Sequence, residues 1–167
     1  MKAHFSRRGA IAAGAAALAA GAALWRGNRP ADAATPAERF EVSRTPEEWR
    51  RLLTPQQFAV LRQASTERSG SSPLDKEHRK GVFVCAGCAL PLYSSAAKFE
   101  SGTGWPSFYA PLPNAVRTRA DNSLLFKRTE VHCRRCGGHL GHVFDDGPRP
   151  TGKRYCMNGA AMKFRPA

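Results

Sequence analysis

The chain is 167 residues long, enough for one ordinary domain but not for two well-filled ones. With 42% hydrophobic and 23% charged residues, wholesale disorder is excluded. A formal charge of +13 favours acidic partners and nonspecific contact with nucleic acid, but a solvated basic surface has the same composition, so charge names no function.

Residues 1–33 read as a signal peptide. Met1 to Arg8 is a basic head, Gly9 to Leu24 is an Ala/Gly-rich apolar stretch, and Ala31-Asp32-Ala33 fits an A-x-A cleavage site. The apolar stretch is short and weak for a membrane span, so no stable span is expected after cleavage. Ser6-Arg7-Arg8 resembles a twin-arginine signal, although Ala10 stands where such signals often carry Phe. Export to an oxidising periplasm is the expectation. There, unprotected thiols would normally pair as disulfides.

Residues 34–44 read as a linker. Thr45-Pro46-Glu47-Glu48 then opens a helix with an N-cap, a proline at the first position and a capping box, and Trp49, Leu52 and Leu53 fall on one face. Thr54-Pro55-Gln56-Gln57 repeats the signal and opens a second helix containing Phe58, Val60 and Leu61. Ser69 to Pro73 is a turn-rich connection. From Gly81 onward, short apolar runs (Val82 to Val84, Ala115-Val116, Leu124 to Phe126) alternate with turn residues. This predicts an antiparallel β domain, residues 45–167 with the helices as an N-terminal cap.

Two C-x-x-C pairs, Cys85/Cys88 and Cys133/Cys136, have the spacing that grips a tetrahedral ion, and four thiolates would leave no open coordination position. The reading is one structural zinc stapling two distant hairpins. Two disulfides, or a redox pair of thioredoxin type, remain as alternatives, the latter without the βαβ context it needs. His132 beside Cys133 reads as a solvent-facing strand residue.

Cys156 is left over. A lone cysteine is often only a small buried hydrophobe. Here Arg154 and Asn158 flank it at strand spacing, and the arginine's fixed charge is expected to lower the thiol pKa. His139 and His142 supply proton carriers, with Asp145 or Asp146 able to orient an imidazole. These residue types suggest nucleophilic thiol chemistry without naming the electrophile; a second metal site or plain turn residues remain open for the histidines.

Cys85-Ala86-Gly87-Cys88, Ser101 to Phe108 (SGTGWPSF), Cys136 to Pro148 (CGGHLGHVFDDGP) and Arg154 to Asn158 (RYCMN) occur in that order. On these motifs the chain resembles the methionine sulfoxide reductase B family from about Thr45 to Phe164. The resemblance implies a mainly β fold of two antiparallel sheets, one structural zinc away from the active site, and reduction of the R epimer of methionine sulfoxide. It implies Cys156 as nucleophile and His139, His142 and Asn158 as polarising and proton-donating groups. Asp146 falls in their supporting network, Arg154 stabilises the thiolate, and Trp105 and Phe108 contact the substrate. Oxidised proteins or peptides are the implied substrates of a monomer, with no specific nucleic-acid partner.

One departure matters. Many family members carry a second cysteine in the S-G-x-G-W-P-S-F loop, where this chain has Thr103. The expectation is a one-cysteine enzyme regenerated by a small thiol or thioredoxin-like donor. Gly159 replaces a frequent serine, with the expected weakening of one hydrogen bond near the nucleophile. Glu100 stands where aspartate is common.

Overall fold

A computed structural model describes residues 38–123 and 127–167; the signal peptide expected over 1–33 and the apolar run Leu124 to Phe126 lie outside the described residues. Residues Arg39 to Ala167 form one compact unit. Both expected helices are present, α1 (Pro46–Leu52) and α2 (Pro55–Gln63), each with a threonine N-cap, a full capping box and proline in the first turn. Trp49, Leu53, Phe58, Val60 and Leu61 are buried. Leu52 is not: it points to solvent from the other side of the short α1 helix.

Among the described residues nine strands follow: β1 (Gly81–Cys85), β2 (Pro91–Ser94), β3 (Lys98–Phe99), β4 (Ser107–Phe108), β5 (Val116–Asp121), β6 (Arg128–Cys133), β7 (His139–Phe144), β8 (Arg154–Met157) and β9 (Met162–Pro166). They make two antiparallel sheets, one ordered β2-β1-β9 and one ordered β3-β4-β8-β7-β6-β5. The core contains Phe83, Leu92 and Tyr93 from the small sheet with Phe108, Val131, Leu140 and Met157 from the large one. Tyr93 stacks on Phe108 with ring centroids 4.3 Å apart, and its hydroxyl donates to the Met157 sulfur at 3.1 Å. That bond satisfies a fully buried phenol.

Two details differ from the sequence expectation. The end of the stretch expected as a linker is docked: Val42 N–H donates to the Arg135 carbonyl, Glu41 pairs with Arg134 and Arg135, and the Phe40 ring meets His132 edge-on. His132 is accordingly buried, not solvent-facing. A bulge between Val131 and His132 breaks the strict alternation from which an outward orientation would follow.

The large sheet places β8 at its centre, between β4 and β7. The approach of β7 to β8 is unusually close at Gly141, where an added Cβ would lie 2.1 Å from the Cys156 carbonyl oxygen and 3.0 Å from the Met157 Cα. Only glycine lets the strands meet there.

Candidate active site and metal centre

The two C-x-x-C segments form matching turns. In the first, Cys85 N–H donates to the Leu90 carbonyl and Ala89 N–H returns a bond to the Cys85 carbonyl; in the second, Cys133 pairs with Gly138 and Gly137 with Cys133 in the same pattern. The fifth residue of each turn, Ala89 or Gly137, has positive φ. All four sulfurs lie within 4.8 Å of one another, with Cys85 to Cys136 at 3.7 Å and Cys88 to Cys133 at 3.5 Å.

Disulfide sulfurs would lie about 2.05 Å apart. Sulfurs around a tetrahedral zinc with bonds of about 2.3 Å would lie about 3.8 Å apart. The geometry therefore fits a four-thiolate metal site. Arg62 donates to the Cys136 carbonyl at 2.9 Å and Arg135 to the Cys88 carbonyl at 3.4 Å, placing positive charge beside a group that would be dianionic when loaded. What constrains Gly137 is the ring of Phe40, 2.4 Å from where its Cβ would be.

Cys156 lies on β8, opposite Ser107 on one side and His142 on the other. Its thiol is partly buried and stands 3.9 Å from the Thr103 hydroxyl. A hydroxyl chain runs from Thr103 to Ser101 (2.8 Å) and from Ser101 to Ser107 (2.7 Å). Arg154 is pinned by a bidentate pair to Asp146 at 2.8 and 2.9 Å and lies over the Phe144 ring.

Arg154 favours the thiolate, as expected, and so do the Thr103 and Ser107 hydroxyls. Burial nonetheless outweighs them and pushes the Cys156 thiol above its ordinary value. The net direction is opposite to that expected from Arg154 alone.

The histidines are held by carboxylates absent from the sequence reading. His139 Nδ1 bonds Glu130 at 2.8 Å, and His142 Nε2 bonds Asp121 at 2.7 Å. Asp121 also accepts from Arg128 at 2.7 Å, and Glu130 from Arg119. Neither Asp145 nor Asp146 orients an imidazole, since Asp145 pairs with Lys153 and Asp146 with Arg154. Burial pushes His142 below the ordinary imidazole value, while Asp121 pulls it the other way. His142 is therefore neutral near pH 7. Because a carboxylate only accepts, the Asp121 bond assigns the imidazole proton to Nε2.

A cavity of about 150 Å³ opens beside Cys156, walled by Trp105, His142, Phe144, Asn158, Thr66 and Arg128. It brings together Cys156, His142, Asn158 and Trp105 as expected from the motifs. His139 is not on its wall but packs edge-on to His142, ring centroids 5.4 Å apart. Phe108 is not there either. It is fully buried in the core, because strand alternation sends Ser107 towards Cys156 and Phe108 to the opposite face.

Asn158 is buried, and both ends of its amide are engaged: its Oδ1 accepts from Glu67 N–H at 2.9 Å and its Nδ2 donates to the Leu140 carbonyl at 3.1 Å. At Gly159 an added Cβ would fall 1.9 Å from the Ser72 hydroxyl, so Ser72 already occupies the space a serine side chain at 159 would need. Glu100 faces cations, Lys98 at 3.2 Å and Lys76 at 3.9 Å.

A β fold joined by a four-cysteine cluster, with a separate cysteine set beside arginine and histidine in a small cavity, defines a thiol protein of the redox class. Comparison with known proteins makes this specific. The SelR domain matches residues 53–166. The peptide methionine sulfoxide reductase MsrB of Leptospira interrogans is 51% identical over 127 residues, covering 75% of this chain and 97% of that protein. The MsrB proteins of Methanosarcina barkeri and Bradyrhizobium diazoefficiens are 54% and 52% identical, covering 74% and 81% of this chain and 88% and 98% of their own. A solved "Yippee-like" domain of Mis18 shares 19% identity at a TM-score of 0.42 over 53% of this chain and 98% of its own, too slight a likeness to bear on function. The chain belongs to the methionine sulfoxide reductase B family and is an oxidoreductase.

Glu130 carries a testable consequence. Burial alone would raise its carboxyl, but His139 and Arg119 outweigh burial and hold it down at about 2. A carboxylate depressed in the fold contributes stability that is present above the ordinary carboxylate pKa of about 4.3 and lost as pH falls towards the folded value. Glu130→Gln is expected to lower the unfolding free energy at pH 7 and to flatten its decline below about pH 4.5, measured by urea unfolding across that range. An unchanged acid limb would count against the pairing.

Proposed function

We propose that this protein reduces the R epimer of methionine sulfoxide, in oxidised proteins or peptides and in the free amino acid, with Cys156 as nucleophile. The observation that carries the reading is that Cys156 pairs in register with His142, and that both line a cavity together with the Trp105 and Phe144 rings. At about 150 Å³ the cavity suits one small side chain, whereas drug-sized ligands take about 300–1,000 Å³.

The residues divide the work by their chemistry. Trp105 and Phe144 receive the apolar thioether end of the side chain. Epimers differ in which side of sulfur bears the oxygen, so fixed aromatic walls opposite fixed polar groups discriminate between them. His142 takes the Cys156 proton and delivers it to the sulfoxide oxygen as the thiolate attacks sulfur, while Asp121 stabilises the transient imidazolium. His139, held by Glu130, fixes His142 from behind. Arg154 and the Thr103 and Ser107 hydroxyls stabilise the thiolate.

The oxygen leaves with Cys156 as a sulfenic acid, and the methyl sulfoxide becomes methionine. One reductant thiol then condenses with the sulfenic acid, releasing water. A second breaks the resulting mixed disulfide and restores the thiol. Four of the five cysteines belong to the metal cluster and Thr103 carries no sulfur, so both thiols come from outside, from small thiols or a thioredoxin-like partner.

The four-cysteine cluster is proposed to hold one zinc. When bound, zinc supplies no open coordination site and serves to tie the β1–β2 turn to the β6–β7 turn. Residues 1–33 are proposed to export the protein to the periplasm by the twin-arginine route, where it acts as a monomer; among the described residues no helix is long and apolar enough to cross a membrane.

Mature protein supplied with dithiothreitol is expected to remove oxygen from the R epimer of a methionine sulfoxide peptide only, and Cys156→Ser to abolish this, followed by mass. Inactivity of folded protein would overturn the proposed function. Because the thiol is raised and His142 lowered, the reactive thiolate–imidazolium pair is a constant minor fraction between their two values. The kcat/KM profile is therefore expected to be flat from below about 6.5 to above about 8.5, falling only outside that window; a narrow optimum inside it would contradict the Cys156–His142 pair. Stripping metal with a strong chelator is expected to lower the unfolding temperature by several degrees or more, with zinc restoring it.

A further inference from the structure

We infer that Glu67 is a positioning residue for the active site, acting on both walls of the substrate cavity at once. Its side chain is buried, and among the described residues no side-chain cation pairs with it. A buried carboxylate in that situation must be held by hydrogen bonds. Glu67 Oε1 accepts from Gly159 N–H at 2.5 Å and Oε2 from Ala160 N–H at 2.8 Å, at the start of the short 3-10 turn that follows β8.

Asn158 is the residue that would ordinarily cap that turn, and its side chain makes no capping bond. Glu67 caps the turn instead, and Asn158 Oδ1 accepts from the Glu67 N–H at 2.9 Å. This exchange ties Asn158, two residues beyond Cys156, to a segment ninety-one residues away in the chain. The third attachment is the Glu67 carbonyl, which accepts from Trp105 Nε1 at 3.2 Å.

One residue thus fixes Asn158 and Trp105, which both line the cavity, and its neighbour Thr66 lines it too. The carboxylate touches neither Cys156 nor the cavity. Its contribution is the separation and orientation of the walls that receive the substrate, not the ionisation of the nucleophile. This role rests on the methionine sulfoxide activity proposed above.

The test compares Glu67→Gln and Glu67→Asp with the unaltered protein. Gln offers the two amides only one acceptor oxygen, and Asp keeps the charge but falls one methylene short of them. Both are expected to raise KM for a methionine-R-sulfoxide peptide roughly tenfold, with a smaller change in kcat. The alkylation rate of Cys156 by iodoacetamide is expected to stay within about twofold, because the thiol's own partners are unchanged.

Alkylation is read without turnover. If the unaltered protein reduces no sulfoxide, the proposed activity fails. If it does and the folded variants keep its KM, the positioning role fails. A parallel loss of Cys156 alkylation, or failure of both variants to fold, would also overturn the role, by making Glu67 a residue of general stability.

Discussion

The β7–β8 contact at Gly141 is the constraint on which the arrangement of the site depends. An antiparallel pair fixes which residues face each other, and here the register sets His142 against Cys156. Any side chain at 141 would run into the Cys156 carbonyl, and the strands would part where Cys156 and His142 pair. On the other side of β8, the two-residue strand β4 sets Ser107 against Cys156 while its neighbour Phe108 anchors the core. Cys156 is thus held between two strands rather than on a loop, and its strand is buried at Met157 against the smaller sheet.

Burial gives this site its electrostatic character. Taking the thiol and the imidazole out of water disfavours both charged forms, so Cys156 moves up and His142 down. The resting pair is neutral. Charges that are kept are held in specific pairs: Asp121 with His142 and Arg128, Glu130 with His139 and Arg119, Asp146 with Arg154. The carboxylates are fixed by those partners and hold imidazole and guanidinium at set orientations around the thiol. A neutral resting thiol is less exposed to adventitious oxidation than a standing thiolate.

The four-cysteine cluster and the active site lie at different parts of the fold but share β7. The second knuckle, Cys133 to Gly138, ends where β7 begins at His139. Tying that turn to the end of β1 fixes the start of the strand that carries both histidines. The N-terminal residues 39–44 pack over the same knuckle through Phe40, Glu41 and Val42, so the entry to the domain contributes to the same support.

Much of this was legible in the sequence because it depends on local chemistry. Threonine–proline pairs with Glu48 and Gln57 specify both helix starts; C-x-x-C spacing specifies thiol turns; dense motifs around Trp105, His139 and Cys156 specify the family. What the sequence alone left undecided involves partners far apart in the chain. Asp121 and Glu130 are unremarkable residues in a β hairpin until β5, β6 and β7 align, whereas Asp146, near the histidines in sequence, turns towards Arg154. Phe108 lies inside the Ser101 to Phe108 motif yet faces the core, since alternation along β4 is resolved only when the sheets pack. The direction of the Cys156 shift likewise depends on how much water the fold excludes, and no pattern of neighbours in the chain records that. Local sequence determined which groups are present and how the turns begin; tertiary packing decided which carboxylate meets which base, because that pairing is set by strand register and burial rather than by distance along the chain.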